Sequence, residues 1–202
     1  MELIENLRNK LQRELTGWES HRKLAPAGRY ALETAPDINA VKSAVLILLF
    51  KENNQFFFPV IQKTVYKGVH SGQISFPGGK AEVFDKDIIA TAVRETEEEI
   101  GIDRNSINIL GKLSPLYIPV SNFEVNPFVG YIDYIPEFYP NKSEVADLFK
   151  ININDLIQSK IITRKVKVRE VVFEAPFFIF PQTEIWGATA MILSEFADVL
   201  MC

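Results

Sequence analysis

Three glutamates, Glu95, Glu98 and Glu99, stand at i, i+3 and i+4 in the run Arg94-Glu95-Thr96-Glu97-Glu98-Glu99-Ile100-Gly101-Ile102. On a helix this spacing projects the carboxylates from one face, within reach of one another. Without a partner the arrangement is unfavourable. Like charges so placed repel by roughly a few tenths of a kcal/mol per pair, and negative charge near a helix C-terminus opposes the macrodipole. A divalent cation reverses that balance, because hard oxygen ligands on one face suit Mg²⁺ or Mn²⁺, which also hold phosphate oxygens. A solvated acidic helix end satisfies the same spacing, so the residues leading into the helix have to distinguish the two.

Those residues are Gly72-Gln73-Ile74-Ser75-Phe76-Pro77-Gly78-Gly79-Lys80, a short β-type run entering a glycine turn. Glycine lets backbone approach a ligand closely, and Pro77 stiffens the entry. Together the two segments resemble the Nudix box: Gly, five residues, Glu, seven residues, Arg-Glu, an aliphatic residue, any residue, Glu-Glu, any residue, Gly and an aliphatic residue. Arg94, Glu95, Glu98, Glu99, Gly101 and Ile102 match directly, while Thr96 replaces an aliphatic residue. Asp85 stands at the first Glu position, and eight rather than seven residues separate it from Arg94. The longer spacing with Asp resembles the coenzyme A pyrophosphatase branch of that family. So do His70 to Gly79 (HSGQISFPGG), Ser121 to Gly130 (SNFEVNPFVG) and Ile185 to Ala190 (IWGATA). The resemblance covers roughly residues 41 to 200.

The resemblance implies a Nudix-type α/β/α sandwich and hydrolysis of a diphosphate bridge by water, with Mg²⁺ or Mn²⁺ on Glu95, Glu98 and Glu99. Arg94 is expected to hold the glutamate-bearing helix in place. One carboxylate must accept the proton of the attacking water. Glu98 is the first choice, and Glu144, in the branch-like stretch SEVADLF, is the alternative from outside the box. Lys63, His70, Gly78, Gly79 and Lys80 are the expected substrate-binding positions, though a solvated turn histidine is an equally ordinary reading of His70. The branch carries two upstream arginines. Here Lys63 and Gly68 occupy those positions and Lys67 lies beside the second; lysine keeps the charge but loses the bidentate fork. The resemblance to that branch nevertheless implies coenzyme A or an acyl-CoA as substrate, cleaved to 4′-phosphopantetheine and adenosine 3′,5′-bisphosphate. The alternatives are ADP-ribose or a dinucleotide, or a Nudix-fold module that binds a nucleotide without cutting it.

The elements that must position this site follow from periodicity. Asp87 to Ile100 places Ile88, Ile89, Ala92, Val93, Thr96 and Ile100 near one helix face, and Gly101 terminates it. Val41 to Phe50 and Gln55 to Gln62 are expected to be paired strands at the centre of the sheet, joined by a polar turn at Lys51 to Asn54. Ile107 to Leu113, Phe123 to Tyr134 and Glu144 to Ile151 are further strands, with a short helix at Asn154 to Ser159. Ile161 to Phe180 reads as a β hairpin and Glu184 to Leu200 as an amphipathic closing helix. Lys165, Lys167 and Arg169 alternate along that hairpin, as a charged edge or a phosphate-facing surface. Trp186 reads as a core residue. At the N-terminus Leu3, Ile4, Leu7, Leu11 and Leu15 give a docking helix stopped by Gly17, and residues 18 to 40 a connecting loop. The fold class is thus α/β, a mixed sheet with helices on both faces plus an N-terminal helix, in one domain spanning residues 1–202.

Composition narrows the partners. Lys and Arg number 22 against 26 Asp and Glu, a net charge of −4, which disfavours nucleic acid and favours a small-molecule nucleotide. Cys202 is the single cysteine, so neither an intrachain disulfide nor a cysteine-based zinc site is available. The longest apolar run, Ala44 to Phe50, is far short of the roughly 20 residues a spanning helix needs, and the charged N-terminus lacks a signal-peptide core. The expectation is a cytoplasmic protein with no membrane or nucleic-acid partner; a homodimer is compatible with it.

Overall fold

The fold is described by a computed structural model covering residues 2–27, 35–64, 72–168 and 170–202. Its centre is β1 (Val41–Glu52), a strand whose two faces enter two different cores. Ala44, Leu46, Leu48 and Phe50 face one side and Ile47 and Leu49 the other, and all six have no solvent exposure. This is the period-two outcome of an unbroken apolar run, which only a strand covered on both faces can bury.

β1 runs parallel to β7 (Phe123–Tyr131) and antiparallel to β4 (Gly78–Lys80). With β2 (Gln55–Lys63) it forms a hairpin limited to Phe50–Glu52 and Gln55–Phe57. The expected four-residue turn is in fact two residues, Asn53 and Asn54, at φ 49° and 62°. Asparagine tolerates this left-handed geometry, which matches the twist of the flanking strands, so β1 runs on through Lys51 and Glu52. Beyond the hairpin β2 leaves β1 and pairs with β3 (Ile74–Ser75) and β8 (Val145–Asn152). β5 (Asn108–Lys112) and β6 (Leu116–Ile118) flank β7. The resulting mixed sheet has eight strands, with the path β3-β2-β1-β7-β5.

Helix α3 (Ile88–Ile100) covers the face bearing Ala44, Leu46, Leu48 and Phe50. Asp87 caps its first turn by accepting from the amide of Ala90, and Gly101, at φ 76°, closes it in the left-handed conformation. Ile89, expected on the apolar face, is exposed. The other face is covered by α1 (Glu2–Lys10), α4 (Ile153–Gln158) and α5 (Gly187–Met201). A second, three-stranded antiparallel sheet is formed by β9 (Ile161–Val168), β10 (Val171–Ile179) and β11 (Glu184–Trp186). Residues 184–186, expected to open the closing helix, therefore belong to a strand instead.

The N-terminal expectations need two corrections. α1 ends at Lys10 rather than running to Gly17, because Leu11 packs against Gly111 of β5 and the chain turns there. Residues 18–40 are not simply a loop: Trp18–His21 form α2, followed by a 3-10 turn at Arg22–Leu24. Both lean on a buried carboxylate, Glu195 of α5. It accepts from the amides of Gly17 (2.8 Å) and Ser114 (3.0 Å), from the Ser114 hydroxyl (2.6 Å), and pairs with His21 Nε2 at 3.2 Å. No described helix is long and apolar enough to cross a membrane.

Candidate active site

The carboxylates of α3 are organised by Arg94, a buried guanidinium whose side chain is 7% exposed. Its Nε and Nη2 donate to Asp85 at 2.9 and 3.1 Å, and Nη2 also donates to the carbonyl of Lys80 at 3.1 Å. Its Nη1 donates to Glu95 and to Glu98, each at 2.9 Å. Asp85 further accepts from the Thr91 hydroxyl (2.8 Å) and the amide of Glu82 (2.9 Å). The Arg94 hydrogen bonds hold the Asp85 carboxyl well below the usual carboxylate range, and Asp85 in turn raises Arg94. Through these bonds Arg94 and Asp85, the departure from the box pattern, tie the loop before the helix onto the helix.

Glu99 does something different. It is 1% exposed and turned inward, accepting from the amide of Gly78 at 2.8 Å and from Lys63 Nζ at 2.9 Å. Lys63 Nζ also donates to the carbonyl of Gly78 at 3.2 Å. Burial pushes the Glu99 carboxyl above its usual value, and Lys63 pulls partly against that. Glu99 and Lys63 thus clamp the glycine turn, and the local sequence permits no bulk there. Gly78 has φ 154°, and a Cβ on it would strike the carbonyl of Ala44; a Cβ on Gly79 would strike the Glu95 carboxylate.

Glu95 and Glu98 form the outer part of the cluster, with side chains 14% and 51% exposed. Burial raises the Glu95 carboxyl, and Arg94 pulls partly against it. Among the described residues, four carboxylates, Asp85, Glu95, Glu98 and Glu99, pair with two cations, Arg94 and Lys63, so the described cluster is net anionic and its donors are all hard oxygens. That chemistry fits a divalent cation held by Glu95 and Glu98. As they stand, with Arg94 between Glu95 and Glu98 and both oxygens of Glu99 engaged elsewhere, the three glutamates do not converge. Among the described residues no group of three His, Cys, Asp or Glu side chains is disposed around one point.

Glu144 is exposed and lies on the same rim. Its carbonyl accepts from the amide of Thr64, beside Lys63, and Lys63 pairs in register with Val145. Asn141, which hydrogen-bonds Glu144, also donates its amide to the carbonyl of Glu99. His70, Lys67, Gly68 and Arg169 lie outside the described residues.

Beside the cluster opens a cavity of about 290 Å³. Lys63, Gly78, Gly79 and Lys80, four of the expected substrate-binding positions, line it together with apolar side chains including Val45, Phe76, Phe123, Val125 and Trp186. Trp186, expected in the core, is instead half-buried on the cavity wall, its ring tilted against those of Phe173 and Phe177 at centroid distances of 6.1 and 5.8 Å. The apolar wall went unnoticed in the sequence because it is drawn from segments far apart in the chain. Lys165 and Lys167 sit exposed on β9, and Lys167 pairs with Glu170.

The carboxylate-bearing helix is thus clamped to a glycine strand on a mixed sheet. Residues 41–155, more than half of the chain, match the NUDIX domain, and the chain belongs to the Nudix hydrolase family. It is similar to a protein of Pectobacterium atrosepticum named uncharacterized Nudix hydrolase NudL, with 36% identity over 129 residues, 63% of this chain and 67% of that one. A Yersinia pestis protein of the same name is 37% identical over 130 residues, 64% of this chain and 65% of that one. The match thus spans about two thirds of the length of these relatives. Among solved structures, a MutT/nudix family protein from Enterococcus faecalis superposes with TM-score 0.52 at 16% identity, covering 84% of this chain and 66% of that one. A C. elegans Ap4A hydrolase superposes with TM-score 0.50 at 20% identity, covering 58% of this chain and 84% of that one. Both likenesses are of fold.

Proposed function

We propose that this protein hydrolyses the diphosphate bond of coenzyme A or an acyl-CoA, giving 4′-phosphopantetheine and adenosine 3′,5′-bisphosphate. The observation that carries the reading is the meeting of two features: the Arg94-held pair Glu95 and Glu98, and an apolar cavity that begins at Gly79, next to Glu95. A diphosphate at the carboxylates leaves an apolar arm for the cavity, and coenzyme A carries such an arm. The sequence resemblance to the coenzyme A pyrophosphatase branch supports the same choice.

In this reading Glu95 and Glu98 hold Mg²⁺ or Mn²⁺, which when bound offsets the charge of the diphosphate. Glu98, the most exposed of the three glutamates, accepts the proton of the attacking water. Glu144 takes that role if the metal occupies both oxygens of Glu98. Glu99 and Lys63 shape the glycine turn rather than touch the reacting phosphorus. Replacement of the branch's arginines by Lys63 and Gly68 favours a second reading, hydrolysis of ADP-ribose or a dinucleotide, because the bidentate phosphate grip is lost. A binding module without turnover is disfavoured by retention of mutually repelling carboxylates.

The test is a side-by-side assay of purified protein with coenzyme A, acetyl-CoA and ADP-ribose, with and without magnesium. Phosphopantetheine release that stops on chelation supports the first reading. Cleavage of ADP-ribose alone selects the second, and no cleavage of any substrate with retained nucleotide binding selects the module.

A further inference from the structure

Phe84 is 74% exposed, although it lies one residue from Asp85, the best-anchored side chain of the loop before α3. Leaving a phenylalanine in water forgoes the burial that ordinarily places it inside. Nor is the ring loosely placed. It lies against the Arg94 guanidinium, 5.5 Å from ring centroid to Cζ, and Arg94 is itself fixed by Asp85, Glu95, Glu98 and the carbonyl of Lys80. One face of the ring is therefore occupied by a buried cation while most of the side chain remains open to solvent.

The contacts also fix what lies beside the ring. From the cavity they run through Gly79 to the Glu95 carboxylate, on to Arg94, and from Arg94 to Phe84. The carboxylate pair thus stands between an apolar cavity and an exposed aromatic ring. A nucleotide diphosphate derivative has the same order of parts: an arm, a diphosphate and a nucleoside. Stacking on an aromatic face is how proteins hold a base irrespective of its hydrogen-bonding edge.

We propose that Phe84 is the stacking platform for the base of the substrate nucleotide, with the other end of the substrate in the cavity. The inference rests on the reading of the site as one for a nucleoside diphosphate derivative. It adds a substrate-binding residue and a direction of binding. It favours no particular arm over another, so coenzyme A and ADP-ribose are both accommodated.

The test separates base from phosphate by titration calorimetry in magnesium, using ADP and inorganic pyrophosphate as probes. The Phe84→Ala protein is expected to bind ADP about tenfold or more weakly, the scale of a lost base–aromatic stack, with pyrophosphate affinity unchanged. Phe84→Trp is expected to restore ADP binding. An equal loss for both probes overturns the proposal, because the ring then acts only through Arg94. Unchanged ADP binding, or an unaltered protein that binds pyrophosphate but no ADP, overturns it as well. Because Phe84 leaves the core untouched, an unfolding midpoint near that of the unaltered protein checks the variants. Failure of the hydrolase reading shows separately, as absence of turnover in the unaltered protein whatever the ADP-to-pyrophosphate ratio.

Discussion

At the scale of single residues, equal spacing has produced unequal glutamates. Glu98 is half open to water, Glu95 is largely covered and Glu99 is sealed in, so three carboxylates that look alike in the sequence have three environments. Glu98→Gln is expected to lower kcat by roughly 10²–10⁴, the range of a lost general base. If Glu144→Gln does so instead and Glu98→Gln mainly raises the magnesium requirement, the proton acceptor is Glu144. Asp85→Asn is a stability prediction. It leaves the buried Arg94 short of the one carboxylate that takes two of its nitrogens, and urea unfolding at neutral pH is expected to show a loss of about 3 kcal/mol. The pH dependence has a definite sign. The folded-state Asp85 carboxyl is depressed, so its contribution is complete above the ordinary Asp pKa of about 4 and is lost as pH falls below it. The gap between variant and parent therefore narrows toward about pH 2.

Among the elements, α3 and β4 act as one part, joined by Glu99 to Gly78 and by the fit of Gly79 against Glu95. Gly79→Ala is expected to displace the Glu95 carboxylate, lowering kcat and magnesium affinity while the unfolding midpoint changes little; a normal midpoint with normal turnover would show that the carboxylate has room to move. Much of this part was legible in the sequence. Asp87 and Gly101 are start and stop signals whose chemistry is local, and the Arg94 to Ile102 pattern is carried by one helix. The cavity was not legible, because its wall gathers residues from strands far apart in the chain, and Trp186 looked like core for want of that context. The early end of α1 was hidden for the same reason: Leu11 and Leu15 continue the helical spacing, but contact with Gly111 of β5 decides where the chain turns. The two-residue turn at Asn53 and Asn54 was misjudged because polarity alone does not reveal a left-handed backbone.

Over the whole molecule, the two faces of the main sheet differ: α3 carries the carboxylate cluster on one, and α1, α4 and α5 cover the larger core on the other. Glu195 secures that second face. Burial alone would raise its carboxyl, yet hydrogen bonds from His21 and Ser114, with the Gly17 amide, bring it net below its usual value. Glu195→Gln is expected to destabilise the protein by about 2 kcal/mol in urea unfolding at neutral pH, with turnover retained because Glu195 does not line the cavity. The parent loses that contribution as pH falls below the ordinary Glu value of about 4.3, so the two proteins converge in acid. The same cluster bears on the order in which the protein is made. Gly17 meets Glu195 across 178 positions of sequence, and α1 packs on β5 and α5. On the ribosome, α1 therefore emerges with its apolar stripe long before the surfaces that cover it have been translated. It must wait, exposed to chaperones and proteases, for α5 to arrive.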